Sequence, residues 1–200
     1  MIDTCSGHGS RIDAPSGAPS HGRRLRSRWP VLAGMVAAGL TAYGLAEGAE
    51  LAPVLTASAL VYLAAAALRK PAAAWPLFWG AFAVIALAKV MVPAVDPTWV
   101  LLGTALAAVV YGLLTGAARP AEGLPLQTVA MAGFGLVAAV TVVAGAEFGA
   151  YLVAAGLLGH AAWDVRHHRT GKVVVRSLAE FCFVLDALAA VAMVIVAVRG

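Results

Sequence analysis

This chain carries little charge. Only 12% of its 200 residues are Asp, Glu, Lys or Arg, about half the usual share of a soluble domain. Cysteine is scarcer still: Cys5 lies in a polar tail and Cys182 within an apolar run, which excludes a disulfide framework. The chain has no Gly-rich phosphate loop, no nucleophile elbow and no CxxC pair. No basic stripe with interleaved aromatics occurs in its body. The net charge of +4 therefore reflects loop charges, and no nucleic-acid partner is expected.

What is present instead is apolar surface. Hydrophobic residues make up 62% of the sequence, in recurring runs close to the roughly 20 residues that cross a bilayer. Gly, Pro and charges fall mostly in the gaps, and the runs lack the polar outward faces of a large soluble helical core. The expected fold is all-α: a polytopic membrane bundle of seven transmembrane helices, at 29–46, 51–68, 74–92, 98–116, 125–145, 148–165 and 174–198.

Residues 1–28 stand apart. Ser, Gly, Pro and His dominate them, ending in the basic run Arg23-Arg24-Leu25-Arg26-Ser27-Arg28. So few apolar groups cannot offset the entropy of ordering, so a disordered basic cytoplasmic tail is expected before a 29–200 transmembrane domain. His8 and His21 are too widely spaced in it to form a metal site. The basic run ahead of Val31–Tyr43, with Gly44-Leu45-Ala46 behind it, has the outline of a signal peptide. The repeat described below argues that this stretch stays as the first span.

Loop charges test the count. Lys and Arg occupy every second gap: the tail, Arg69 and Lys70, Arg119, and then Arg166, Arg169, Lys172 and Arg176. The intervening gaps carry Glu47, Glu50, Asp96 and Glu147, with Arg199 near the end as the exception. By the positive-inside rule this is a multi-pass protein of a bacterial inner membrane, N-terminus cytoplasmic and C-terminus outside.

An internal register supports the same plan. Gly48-Ala49-Glu50 and Gly145-Ala146-Glu147 are 97 residues apart, and the offset also pairs Leu55 with Leu152, Leu60 with Leu157 and Arg69 with Arg166. Taken as a duplication, 29–92 and 125–198 are parallel halves joined by the fourth span, a three-plus-one-plus-three design known among transporters. The register pairs Lys89 with Asp186, which makes a buried ion pair between the halves one reading. Snorkelling of Lys89 to the outer interface is the other.

The segment Gly159–Arg169 departs most from the composition around it, collecting three of the five histidines with one Asp and two Arg. At about 100° per residue, His160, Asp164 and His167 fall within roughly 60° on a helix, with His168 a little outside. His160 lies about 10 Å deeper in the membrane than His167, and Asp186 about 9 Å deeper than Glu180 on the antiparallel neighbour, which brings Asp186 level with His160. Cys182 shares a face with Asp186; Glu180 projects elsewhere, within reach of Arg176. Ionisable groups at such depth usually face the protein interior and mark function.

Three readings fit these residues. The imidazoles and carboxylates of His160, Asp164, His167 and His168 offer the N/O donors of a single divalent metal ion, although one histidine box is too few for a di-iron centre. His160 bonded to Asp164 or Asp186 is equally a metal-free proton relay. A third reading places Asp164, His167 and His168 at a cytoplasmic helix end among Arg166, Arg169 and lipid headgroups, with Trp163 in the interface belt. His160, two turns further in, suits that reading least.

Gly159-His160, Trp163-Asp164, His167-His168 and then Cys182 with Asp186 resemble the pattern of an uncharacterised bacterial integral-membrane family, domain of unknown function 6010, over about residues 125–198. Membership would imply a polytopic membrane protein with these polar residues as its site, and supplies no reaction. The functional expectation is a small membrane enzyme acting on a lipid or isoprenoid-like substrate, with His160, Asp164 and Asp186 as the catalytic group. The alternatives are a small-solute or proton-coupled transporter built on the repeat, and a non-catalytic scaffold or accessory subunit. Membrane lipids are partners in every case.

Overall fold

The computed structural model of the chain describes residues 21–46, 50–144 and 146–199. Expectations for Cys5, His8 and Glu47, and for the Gly48-Ala49 and Gly145 ends of the register, lie outside them. The described residues form seven α-helices and no strands: α1 (His21–Ala46), α2 (Ala52–Leu68), α3 (Ala74–Met91), α4 (Pro97–Leu114), α5 (Leu124–Val143), α6 (Ala146–Thr170) and α7 (Arg176–Arg199). A single 3-10 turn at Pro71–Ala73 leads into α3.

Two boundaries differ from expectation for identifiable reasons. The helix begins at His21, so the basic run expected in the tail is helical. Arg and Leu are good helix formers, and adding a turn to an existing helix costs far less than nucleating one. Pro30, which on its own suggests a start, is accommodated inside α1. α6 runs five residues beyond the expected 165 and stops at Gly171, whose φ of 61° no β-substituted residue adopts readily.

Among the described residues, four helices are long and apolar enough to cross a membrane: α3 with its leading turn, α4, α5 and α7. α2, at 17 residues, is apolar but shorter. α1 and α6 carry the basic run and the polar stripe. The outward faces of these four helices are apolar rather than charged. Trp79, Val90, Leu106, Leu114, Val129, Leu136 and Val191 are all exposed, a surface that soluble proteins rarely present so continuously.

The organising element is α2. Ala, Leu, Val and Thr cover its whole circumference, and 14 of its 17 residues are buried, as expected of a helix that is apolar all round. It packs against α3, α4, α5 and α6. Around it the contacts run from α3 to α4, α5, α6, α7 and α1, and α1 meets α3 through Trp29 and Trp75 at 5.2 Å between ring centroids, above a wide groove. α1 approaches α7 closely at Gly34, where a β-carbon would sit 2.8 Å from the Phe181 carbonyl oxygen. The halves do not pack alike: α5 runs along α6, whereas α1 runs along α7 rather than equally along α2.

The three basic loops meet at one end of the bundle. Lys172 pairs with Glu122 at 2.6 Å, the Arg69 guanidinium donates to the Thr115 carbonyl oxygen, and Trp75 Nε1 donates to Ser177 Oγ at 3.1 Å. The Lys172 ammonium beside Glu122 holds that carboxyl below its ordinary range. Glu50, Lys89 and Asp96 gather at another face, lining one cleft with Pro93 and Pro97.

Candidate functional site

Three helices bring the polar stripe of α6 to a partner set. His160, Asp164 and His167 occupy i, i+4 and i+7 of α6 and are all buried, the first two completely. From α7, Asp186 reaches across so that its Oδ2 lies 2.8 Å from His160 Nδ1; Asp164 Oδ2 lies 3.5 Å from the same nitrogen. From α2, the Tyr62 hydroxyl donates to Asp164 Oδ1 at 2.5 Å. The expected trio of His160, Asp164 and Asp186 is thus assembled, with donor atoms within 4.8 Å of one another.

Aromatic rings surround the imidazoles. Phe134 and Tyr62 meet His160 edge-on at 5.0 and 5.4 Å between centroids, and Tyr62 meets His167 at 4.8 Å. Such packing excludes water and lowers the local dielectric, which strengthens satisfied polar contacts and makes unsatisfied ones costly. Among the described residues, His160 Nε2, Asp164 Oδ2 and Asp186 Oδ1 have no hydrogen-bond partner although all are buried. Buried polar atoms almost always find one, and the cost of leaving each unmade is about 1–3 kcal/mol. Three such atoms in one cluster mark a place built to receive something polar.

His167 belongs to a different network. Its Nδ1 lies 3.0 Å from the Trp163 carbonyl oxygen, which can only accept, so Nδ1 carries the hydrogen. The neutral ring then accepts at Nε2 from the Gln127 amide at 3.0 Å, and Gln127 Oε1 accepts from Trp163 Nε1 at 3.3 Å. Both ring nitrogens are thus engaged in hydrogen bonds, apart from the His160, Asp164 and Asp186 group. His168, outside the 60° arc, is exposed. The Arg166 guanidinium stands 5.1 Å over the Trp163 ring, a cation–π contact.

The other expected residues take these places. Lys89 is exposed in the cleft with Glu50 and Asp96, so the Lys89–Asp186 pair is not made; Asp186 is held by His160 instead. At that cleft, burial and then the hydrogen bond and charge of Asp96 raise the Glu50 carboxyl above its ordinary value, with Lys89 opposing. Cys182 is a buried free thiol one turn before Asp186. Glu180 is half-buried, and no ion pair joins it to Arg176 among the described residues.

Two grooves approach the site. One, of about 420 Å³, runs between α1, α6 and α7; Asp164 forms its inner wall, Val31, Phe183 and Val184 its apolar sides, and His168, Arg169 and Glu180 its charged rim. The other, of about 750 Å³, lies between α1 and α3 and is almost wholly apolar. Its floor includes Phe181 and Leu185, the immediate chain neighbours of Cys182 and Asp186.

Sequence reading missed Tyr62 and Gln127. Gln127 is the only glutamine in the chain and sits inside an apolar run, a signal in itself. Tyr62 offered none beyond its hydroxyl, since tyrosine is ordinary in membrane helices.

Fold and site together define an all-helical protein with four helices apolar enough to cross a membrane and a buried His/Asp cluster. No protein-family model, no curated protein and no solved structure matches the chain.

Proposed function

We propose that this chain is an integral membrane enzyme that acts on a lipid or isoprenoid-like amphiphile at His160, Asp164 and Asp186. The observation that carries the reading is the set of unpartnered atoms on three completely buried side chains. A polar cluster kept only for structure satisfies its members, whereas one that receives a substrate group or an ion holds donors and acceptors ready. The groove bounded by Asp164 supports an amphiphile: apolar walls suit a chain, and His168, Arg169 and Glu180 at the rim suit a polar head. Its volume lies within the range of small-molecule sites, about 300–1,000 Å³.

In this reading the chain spans a bacterial inner membrane seven times with its N-terminus cytoplasmic, and the site lies toward the cytoplasmic side. The meeting of the basic loops at one end of the bundle supports that orientation. The resemblance to the uncharacterised membrane family agrees with the location of the site and adds no reaction.

An untargeted comparison of the lipids of cells expressing the wild-type chain or Asp164→Asn tests the proposal. One lipid class is expected to be depleted, with a matching product, only in the wild type. Identical lipid profiles, with both proteins inserted at equal levels, would discard the enzyme. Substrate uptake into vesicles without turnover would put the two-repeat transporter in its place. An unchanged phenotype after combined alanine substitution of His160, Asp164 and Asp186 would leave an accessory subunit.

A further inference from the structure

We infer that His160, Asp164 and Asp186 hold one divalent metal ion, bound through His160 Nδ1 and one oxygen from each carboxylate. The inference uses the side chains of the proposed function, but it stands or falls by metal content rather than turnover.

Geometry is the first support. His160 Nδ1 faces both carboxylates, with Asp186 Oδ2 at 2.8 Å and Asp164 Oδ2 at 3.5 Å, and the three donors lie within 4.8 Å of one another. Metal–ligand bonds of about 2.0–2.2 Å imply donor-to-donor edges of about 3.0–3.5 Å. The widest donor separation thus has to close by about 1.3–1.8 Å.

The second support is orientation. Tyr62 engages Oδ1 of Asp164, which leaves Oδ2 turned toward the imidazole with no hydrogen bond of its own. Hydroxyl and amide groups commonly hold metal-binding carboxylates and imidazoles in this way from behind.

The third is charge. Two carboxylates and one imidazole are completely buried, and no Lys or Arg pairs with them among the described residues. A divalent cation with two carboxylates and a neutral imidazole sums to zero, and so removes the cost of an uncompensated charge at this depth. Neutral nitrogen with hard oxygen suits zinc or manganese rather than the soft metals that thiolates select. Three protein ligands is also the count of catalytic sites, which keep one position open, and Asp164 lies directly behind the groove between α1, α6 and α7.

The test uses the full-length chain in detergent, stripped with chelator, reloaded with zinc chloride or manganese chloride and freed of excess. Elemental analysis is expected to find one ion per chain in the wild type. His160→Ala and Asp186→Ala should each lower occupancy at least tenfold, and His167→Phe should leave it unchanged. Those substitutions are buried, so zinc X-ray absorption on the wild type supplies a second reading that needs no variant. A shell of one imidazole and oxygen is expected. A sulfur scatterer would bring in Cys182 and overturn the donor set, as would loss of the ion from a folded His167→Phe protein. A wild type that holds neither metal overturns the inference while leaving metal-free acid–base chemistry at the site open. Metal without turnover would instead sink the enzyme reading alone.

Discussion

Asp186 on α7 meets His160 on α6 at 2.8 Å, and neither side chain has any exposed surface. The contact joins antiparallel helices 26 residues apart in sequence through a hairpin turned at Gly171. A polar contact so deep is weak evidence for stability, because desolvation of both groups offsets most of their attraction.

Removing one partner should therefore cost more than removing the whole cluster. Asp186→Ala is expected to destabilise the protein by about 3 kcal/mol, since it strands the remaining polar groups. Replacing His160, Asp164 and Asp186 together by leucine is expected to leave stability unchanged or raised, with function lost. Thermal unfolding in one detergent compares the two variants; a triple variant less stable than the single one would contradict the argument.

Tyr62→Phe tests the hydroxyl that positions Asp164. The ring stays and packs as before against both imidazoles, so only the 2.5 Å hydrogen bond is lost. Leaving Asp164 without that donor is expected to cost about 1–3 kcal/mol and to weaken metal binding about 10–100-fold. Denaturant unfolding and metal titration measure the two effects separately.

Gly34→Val probes the α1–α7 seam. The first added carbon meets a backbone oxygen at 2.8 Å, which cannot turn aside as a flexible side chain would. α1 must move outward, at an expected cost of about 1–3 kcal/mol. Increased proteolysis of α1 against an intact remainder would report the separation; wild-type resistance would count against the close approach.

Glu50 supplies a pH-dependent outcome. Burial, then the Asp96 hydrogen bond and charge, raise its carboxyl in the folded protein. A raised acid contributes stability that is complete below its unfolded value and is lost as pH rises through the folded one. Glu50→Gln should thus match the wild type near pH 4 and melt at a higher temperature than it above pH 6. Parallel melting curves of the two proteins across pH 4–7 would show that the Asp96 contact has no such effect.

Much of the site was legible because a helix converts spacing into direction. His160, Asp164 and His167 share the buried face that their spacing places together, and His168 falls outside it. Depth from helical rise set Asp186 level with His160, and the two are in contact. The Lys89–Asp186 pairing failed for a related reason. A repeat register relates positions in two halves, but which side chains meet depends on how the halves pack, and α1 and α5 take different neighbours.

The sequence by itself determined the helical class, most helix boundaries and the face of α6 that is polar, because these follow from local periodicity and the energetics of burying a charge. Only the tertiary structure decided what that face meets. Tyr62 and Gln127 come from α2 and α5, helices whose apolar patterns say nothing about register against α6. Their contacts separate His167, whose two nitrogens are both engaged, from His160, which stands between two carboxylates. The reason is physical: a histidine's chemistry is set by the atoms facing each ring nitrogen, and here half of those atoms, on Asp186 and Gln127, come from other helices.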